Sequence, residues 1–144
     1  MDVKPLKILM IEDNPGDVRL VSEFLKDSKM LLNISVAEDG DKATEMLFNC
    51  TEQDRPDIIL LDLNLPKKNG RDVLKEIKAD ETLKKIPVII LTSSSSDEDI
   101  IKTYNLHANA YLVKPLNLDE FLDAMKKFEQ FWLTLVKYPN RQTE

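Results

Sequence analysis

Five short apolar runs alternate along the chain with longer segments in which apolar residues recur at helical spacing. The runs cover residues 8–11, 32–36, 58–61, 88–91 and 110–113. Several consist almost entirely of leucine and β-branched residues, which is typical of strands buried on both faces of a parallel sheet. The second run alternates apolar with polar residues and favours a sheet edge. The pattern predicts an α/β fold, a doubly wound, flavodoxin-like parallel sheet of five strands in the order 2-1-3-4-5.

Capping residues mark the predicted starts of several intervening helices. Asn14 precedes a proline at the first helical position, an arrangement typical of a helix N-terminus. Asn69 and Asn117 each precede an acidic residue three positions later, close to the capping-box pattern. Ser95 with Glu98 predicts a further start, that of the fourth helix.

Length and charge restrict the classes of protein that this chain can belong to. The 144 residues suit one compact domain, which we expect over residues 1–138 with a short tail at 139–144. The formal net charge of −6 gives no electrostatic reason to expect nucleic acid or an anionic membrane as a partner. No stretch approaches the ~20 apolar residues that span a bilayer. Cys50 is the single cysteine, so we expect a cytoplasmic protein without an internal disulfide.

Chemically active side chains follow the predicted strands, at the edge where open α/β sheets bind their ligands. Glu12 and Asp13 come directly after the first run, and Asp62 follows the third. Thr92 ends the fourth run, and Lys114 follows the fifth. Each of these residues alone would be read as a cap, a strand residue or a surface side chain. Their coincidence at one edge predicts a functional site.

The combination of side chains points to phosphoryl chemistry. Three neighbouring carboxylates repel one another unless a cation joins them, and Mg²⁺ prefers carboxylate and phosphate oxygens. Lys114 would place a compact positive charge opposite a phosphoryl group, and the Thr92 hydroxyl can donate a hydrogen bond to it. Asp62 remains as the nucleophile, since a carboxylate can form an acyl phosphate.

These segments resemble the receiver domains of two-component response regulators over about residues 6–128. Glu12 and Asp13 are similar to the acidic pair of that family, and residues 62–70, Asp-Leu-Asn-Leu-Pro-Lys-Lys-Asn-Gly, resemble its phosphoacceptor segment. Thr92 and Ser93 resemble the switch hydroxyl segment, although the family usually has alanine or glycine where Ser93 stands. Residues 111–115, Tyr-Leu-Val-Lys-Pro, resemble the segment with the switch aromatic residue and the conserved-type lysine.

The resemblance implies a role for each matching residue. Asp62 would accept a phosphoryl group from a histidine kinase or phosphotransfer protein. Asp13 would bind Mg²⁺ directly and Glu12 through water, with Asp62 and the backbone carbonyl of Asn64 as further ligands. The protein would catalyse only its own phosphorylation and dephosphorylation.

The remaining implied roles concern the switch. Lys114 would pair with the phosphoryl group, and Thr92 would move to contact it. Tyr111 would rotate inward as Thr92 moves. The peptide bond between Lys114 and Pro115 is expected to be cis, an isomer that is essentially confined to bonds preceding proline.

The C-terminal segment predicts how the signal leaves the domain. Too few residues follow Pro115 for a separate output module, so we expect signalling through protein contacts. One helical stripe is predicted from Leu118, Phe121, Leu122, Met125, Phe128, Trp132 and Leu135, with Phe131, Leu133 and Val136 off that stripe. The ending resembles stand-alone regulators associated with bacterial phytochromes. We therefore expect a phytochrome-type kinase and a homodimer formed through the fourth helix, fifth strand and fifth helix.

Three alternatives remain at this stage. One is a receiver-fold scaffold that is never phosphorylated. A second is an Mg²⁺-dependent aspartyl phosphohydrolase of the haloacid dehalogenase type, which would place its Asp-x-Asp motif on the first strand rather than the third. A third is a flavodoxin-like carrier of FMN, whose phosphate Glu12 and Asp13 would repel.

Overall fold

A computed structural model describes residues 5–28, 31–114, 117–133 and 136–139. Strands and helices alternate through them, with a short 3-10 helix at Leu83–Lys85 and a π-helical turn at Glu129–Leu133. The elements are β1 (Leu6–Ile11), α1 (Pro15–Lys26), β2 (Leu32–Ala37), α2 (Gly40–Asn49), β3 (Ile58–Leu61), α3 (Gly70–Ala79), β4 (Val88–Thr92), α4 (Asp97–Asn105), β5 (Ala110–Val113) and α5 (Leu118–Phe128). In these ranges no helix is long and apolar enough to cross a membrane.

The five strands form one parallel sheet in the order β2-β1-β3-β4-β5, which confirms the predicted topology. All residues of β3 and β4 are buried, as expected for central strands of a parallel sheet covered on both faces. The alternating burial of β2 confirms it as an edge strand. Leu47 of α2 and Val73 of α3 pack on one face, while Val21 of α1 and Phe121 of α5 pack on the other.

Side-chain caps begin the helices close to the predicted positions. The Asn14, Asn69 and Asn117 side chains accept hydrogen bonds from backbone amides at the starts of α1, α3 and α5. The prediction of Ser95 as the cap of α4 is wrong by one residue. Ser96 holds that position, and its hydroxyl accepts from the amide three residues later. The Ser96 amide in turn donates to the hydroxyl oxygen of the serine at 94, which fixes the turn before the helix.

The predicted stripe of α5 is correct at its centre and wrong at its edges. Phe121, Met125 and Phe128 are buried against the sheet. Leu118 is 54% and Leu122 is 37% exposed, although both were assigned to the same stripe. Three buried residues at helical spacing are sufficient to dock the helix, so the two leucines lie on its outer flank.

A π-helical turn changes the face that the chain buries after α5. Leu133, predicted to lie off the stripe, is buried in the core, and Trp132 packs beside it. A π-helical turn contains more residues than an α-helical one, so it shifts the buried face away from the helical prediction. The Tyr138 hydroxyl donates to the carbonyl oxygen of Trp132, and Tyr138 itself is buried. Leu135 lies outside the described residues, as does Pro115 with its predicted cis bond.

Candidate functional site

The parallel register places two buried carboxylates side by side at the carboxyl edge of the sheet. Ile11 of β1 pairs with Leu61 of β3, so the residues that follow them, Glu12 and Asp62, are neighbours. The Asp62 amide donates to the Ile11 carbonyl at 3.0 Å. Glu12, Asp62 and the exposed Asp13 each offer a carboxylate oxygen, and these three oxygens lie within 4.8 Å of one another. The structure thus brings together the predicted acidic residues.

The electrostatics of Glu12 show how crowded this cluster is. Glu12 is 2% exposed, and burial raises the pKa of its carboxyl to about 7, to which Asp62 contributes by hydrogen bonding and charge. Lys114 acts in the opposite direction and lowers the pKa. Closely spaced carboxylate oxygens, two of them on buried side chains, match the ligand preference of a hard divalent cation. The donor set therefore fits a divalent metal ion.

Lys114 reaches into the acidic cluster from the end of β5. Its Nζ lies 2.5 Å from Glu12 Oε1, 2.7 Å from Asp17 Oδ2 and 3.5 Å from Asp62 Oδ2. Burial lowers the pKa of Lys114, but hydrogen bonds to Asp17 and Glu12 outweigh that effect and raise it to about 12. The lysine is consequently a fixed positive charge among carboxylates.

Asp17 is a site residue that the sequence analysis missed. It lies in the first turn of α1, and its backbone amide donates to the capping Asn14 side chain at 3.1 Å. Its side chain is 26% exposed and contacts Lys114. The available signal was its spacing, since a residue one helical turn after Asp13 on a helix that starts at the site can face the same cluster.

The predicted switch hydroxyl is buried at the end of β4. Thr92 is 0% exposed, and its carbonyl accepts a hydrogen bond of 2.7 Å from the Lys114 amide. Its hydroxyl oxygen accepts from the Ser94 amide at 3.4 Å. Asn64, the predicted carbonyl ligand, donates its amide to Asp62 Oδ1 at 3.3 Å. Apart from Tyr111, which lies within β5, the predicted site residues thus occupy the ends of β1, β3 and β4 or the segments that follow β1, β3 and β5.

Tyr111 belongs to a hydrogen-bonded network that joins α3, α4 and β5. The half-buried tyrosine donates its hydroxyl to the Ser94 carbonyl at 2.9 Å. Ser94 Oγ donates to Asp99 Oδ2 at 2.7 Å, and Arg71 Nη2 donates to Asp99 Oδ1 at 2.6 Å. Hydrogen bonds lower the pKa of Asp99, and the bond from Arg71 contributes more than the bond from Ser94. The loop between β4 and α4 is therefore held on both sides in this conformation.

We expect Tyr111→Phe to loosen that loop. Loss of the hydroxyl removes one partly buried hydrogen bond, so the free energy of unfolding should fall by about 1 kcal/mol. Amides of residues 93–96 should exchange hydrogen faster than in the unsubstituted protein. Tyr104→Phe is the matched control because Tyr104 is 47% exposed on α4. Equal exchange in the two variants would contradict a role for the Tyr111 hydroxyl.

Two glycines fix the loop that carries Asp62. A Cβ on Gly70 would lie 2.3 Å from the Asp62 carbonyl oxygen and 2.7 Å from Leu63 Cα. On the other side of the loop, a Cβ on Gly40 would lie 2.0 Å from the Lys68 carbonyl oxygen. Backbone can approach this closely only where the side chain is absent. The N-termini of α2 and α3 therefore hold the segment between them.

Comparison with known proteins agrees with this geometry. A family model described as response regulator receiver domain matches residues 8–126. The response regulator Rcp1 of Synechocystis sp. is 45% identical over 138 residues, which make up 94% of this chain and 94% of that relative. Among solved structures, the phosphorylated cyanobacterial phytochrome response regulator RcpA has a TM-score of 0.89 and 44% identity, over 94% of this chain and 99% of that one. The Mn²⁺-bound form of Rcp1 has a TM-score of 0.89 and 45% identity, with the same shares covered.

Proposed function

Because the chain belongs to the response regulator receiver domain family, we propose that it signals by accepting a phosphoryl group on Asp62. Proteins of this family are signalling proteins whose partners are histidine kinases or phosphotransfer proteins. The observation that carries the assignment to Asp62 is the cluster in which its carboxylate lies beside Glu12, Asp13 and the Lys114 ammonium. The proposed nucleophile, its countercharge and the proposed metal-binding oxygens thus lie at one edge of the sheet.

The reaction requires little of the protein beyond positioning and charge. One Asp62 carboxylate oxygen forms a bond to phosphorus while the bond from phosphorus to the donor, such as a phosphohistidine nitrogen, breaks. The electron pair of the broken bond stays on the donor nitrogen. Lys114, already 3.5 Å from Asp62, pairs with a phosphoryl oxygen, and the Thr92 hydroxyl donates to another after leaving its buried position. The same groups assist water in removing the phosphoryl group.

We propose Mg²⁺ as the metal of the site. Glu12, Asp13 and Asp62 would hold it together with the backbone carbonyl of Asn64, and it would neutralise charge on the phosphoryl oxygens. The approach of three carboxylate oxygens to within 4.8 Å of one another supports this proposal, since Mg²⁺ binds through carboxylates and substrate phosphates. The Mn²⁺-bound form of Rcp1 is a further argument from a relative.

Binding of Mg²⁺ is expected to strengthen as the pH rises through about 7, the pKa to which burial raises Glu12. Below that pH the Glu12 carboxyl is protonated, and it must lose its proton before its oxygens can help to bind Mg²⁺. The Mg²⁺ affinity should therefore change by up to about tenfold per pH unit. An NMR titration with Mg²⁺ on both sides of that pH measures the effect. Glu12→Gln should bind Mg²⁺ more weakly and lose the dependence in this range. Equal affinities for the unsubstituted protein at both pH values would contradict the role of Glu12.

A phosphoryl donor tests the proposed function directly. The protein is incubated with Mg²⁺ and a small acyl phosphate, and its intact mass is measured. We expect one phosphoryl adduct that depends on Mg²⁺ and is absent from Asp62→Asn. Asp57→Asn serves as the control at a buried aspartate that lies at the opposite end of β3. Adducts of equal yield on Asp62→Asn would show that another residue accepts the phosphoryl group, and would exclude the proposal. No adduct with any donor would exclude it in favour of an unphosphorylated scaffold.

We propose that phosphorylation changes the surface formed by α4, β5 and α5, and that this surface pairs two copies of the chain. Ile101 and Tyr104 are 61% and 47% exposed on α4. Val113 on β5 is 41% exposed, and Leu118 and Leu122 add apolar area on α5. Apolar side chains clustered at a surface mark protein interfaces. Sedimentation showing only monomers at high concentration, with and without a phosphoryl mimic, would contradict dimerisation.

The donor is proposed to be a kinase of the phytochrome type. The phosphorylated cyanobacterial phytochrome response regulator RcpA, whose fold matches over 94% of this chain, supports this proposal. Phosphoryl transfer from an autophosphorylated phytochrome-type kinase, faster than from an unrelated histidine kinase, is the expected result.

The domain itself is proposed to extend to residue 138, because Tyr138 is buried against the core on the α1 and α5 face.

A further inference from the structure

Asp17 contacts the site without belonging to its acidic cluster. In the described part of the chain, the group of three carboxylates whose oxygens all lie within 4.8 Å of one another consists of Glu12, Asp13 and Asp62. Asp17 instead meets the cluster through Lys114, whose Nζ lies 2.7 Å from Asp17 Oδ2. The same Nζ lies 2.5 Å from Glu12 Oε1. One ammonium group is therefore shared between a carboxylate of the cluster and a carboxylate outside it.

We propose that Asp17 is a positioning residue. It holds the Lys114 ammonium beside the acidic cluster while the Glu12 carboxylate helps to bind a metal cation. The inference rests on the proposed function, because it assumes that the acidic cluster binds Mg²⁺. Glu12 cannot keep a 2.5 Å contact with the ammonium and also serve a second positive charge without strong repulsion between the two cations. Lys114 must then move away from Glu12, and Asp17 is the carboxylate that can retain it.

The surroundings of Asp17 suit this role. Its side chain is 26% exposed, against 2% for Glu12, so water helps to stabilise the Asp17 carboxylate whether or not the lysine is paired with it. The residue is held by the first turn of α1, where the capping Asn14 accepts from its amide at 3.1 Å. A negative charge in the first turn is also favoured by the helix dipole. Asp17 is thus a fixed anion at a helix start.

Removal of the Asp17 charge has a defined consequence for the site. In Asp17→Asn, the Lys114 ammonium loses one partner and is drawn more strongly to Glu12 and Asp62, the oxygens that a cation needs. Mg²⁺ affinity is then expected to fall by roughly two- to fivefold, the range for rearranging one partly exposed ion pair. The effect should vanish when the lysine is absent, because nothing then competes for those oxygens.

Mg²⁺ titrations followed by NMR, without any phosphoryl donor, test the inference in a double-mutant cycle. The proteins are the unsubstituted chain, Asp17→Asn, Lys114→Met and the double variant, with Lys114→Gln as a second lysine replacement. Asp72→Asn is the matched control, because Asp72 also lies in the first turn of its helix, α3, and is exposed. It should leave the Mg²⁺ affinity unchanged.

The effect of Asp17→Asn on the Mg²⁺ affinity, measured with and without the lysine at position 114, separates the outcomes. Weaker binding in Asp17→Asn, together with no effect of the same change in the Lys114→Met or Lys114→Gln background, supports positioning through the lysine. Unchanged binding in Asp17→Asn overturns the inference. An equal loss in both backgrounds also overturns it, since Asp17 would then act on the cation directly. If the unsubstituted protein binds no Mg²⁺ at all, the proposed metal site fails as well.

Discussion

Gly70→Ala is expected to lower the free energy of unfolding by about 3 kcal/mol or more, the upper range for overpacking a rigid site. The added Cβ would lie 2.3 Å from the Asp62 carbonyl oxygen and 2.7 Å from Leu63 Cα. Both are backbone atoms, so no side-chain rotation can relieve the overlap. Either α3 or the segment that carries Asp62, the proposed phosphoacceptor, must move.

Movement of that segment is opposed on both sides. The Gly70 amide donates to the Leu63 carbonyl at 3.0 Å, and Asp62 is tied to β1 through its own amide. On the far side, Gly40 packs so closely against the Lys68 carbonyl oxygen that even a Cβ would not fit between them. We therefore expect Gly70→Ala to lose phosphorylation as well as stability, because a displacement of Asp62 disturbs its place beside Lys114.

Urea unfolding and the intact-mass assay measure the two effects. Gly16→Ala is the matched control, because within the described ranges a Cβ there meets only the Asn14 side-chain oxygen, at 3.2 Å. Its stability should change by less than about 1 kcal/mol, since the gain in helix propensity offsets a small adjustment of the cap. Comparable stability and phosphorylation in the two alanine variants would show that the segment after β3 is not held as described.

Lys114→Met is expected to destabilise the protein by about 3 kcal/mol near neutral pH in the presence of a chelator. The substitution leaves Glu12, which is 2% exposed, and the buried Asp62 without the cation that now lies between them. Phosphorylation should also be lost, because no other described side chain supplies a positive charge at that point of the cluster.

The loss of stability should grow with pH, for a reason that follows from the shifted pKa values. In the unsubstituted protein, burial raises the pKa of Glu12 from 4.5 to about 7, so this residue lowers stability as the pH rises across that interval. Lys114 partly opposes the shift, and without it the pKa of Glu12 rises further. The pKa of Lys114 is raised from 10.5 to about 12, so its own contribution is fully present below 10.5 and is lost as the pH rises through about 12.

Urea unfolding at about pH 5 and at about pH 8 distinguishes this account from a general packing defect. The destabilisation by Lys114→Met should be smaller at the lower pH, where the folded state of the variant keeps Glu12 protonated, and larger at the higher pH, where the unpaired Glu12 adds to the loss. Lys127→Met is the control, because Lys127 is 76% exposed and, among the residues that the structure describes, pairs only with Asp123 on the same helix. A pH-independent loss in Lys114→Met would contradict the electrostatic explanation.

The residue pattern was sufficient to predict the sheet and the convergence of the principal candidate residues at one of its edges. Buried parallel strands have a distinctive apolar composition, and the residues after them must converge at one edge. The sequence alone therefore predicts that Glu12, Asp62 and Lys114 lie together, as they do. The alternation of apolar and polar residues in β2 likewise predicted a strand at the edge of the sheet, with one face less buried.

Details that depend on packing between distant segments could not be predicted in this way. The contact of Asp17 with Lys114 joins residues that are 97 positions apart, and the local signal, a position one helical turn after Asp13, does not identify Lys114 as the partner. The π-helical turn at Glu129–Leu133 reverses the predicted burial of Leu133, because a change of helical period alters which face meets the core. The start of α4 shifted by one residue because several consecutive serines can serve as its cap.

The most direct test of the account is to locate the phosphoryl group chemically. The protein is first incubated with Mg²⁺ and a small acyl phosphate as donor. Any aspartyl phosphate that forms is then reduced with borohydride, which converts the modified aspartate into homoserine. Peptide mass spectrometry then identifies the converted position. We predict homoserine at position 62 alone, and only when Mg²⁺ and donor were both present. Conversion at Asp13 or at another carboxylate, or a stable phosphate ester on Thr92, would contradict the assignment of Asp62 as the phosphoacceptor.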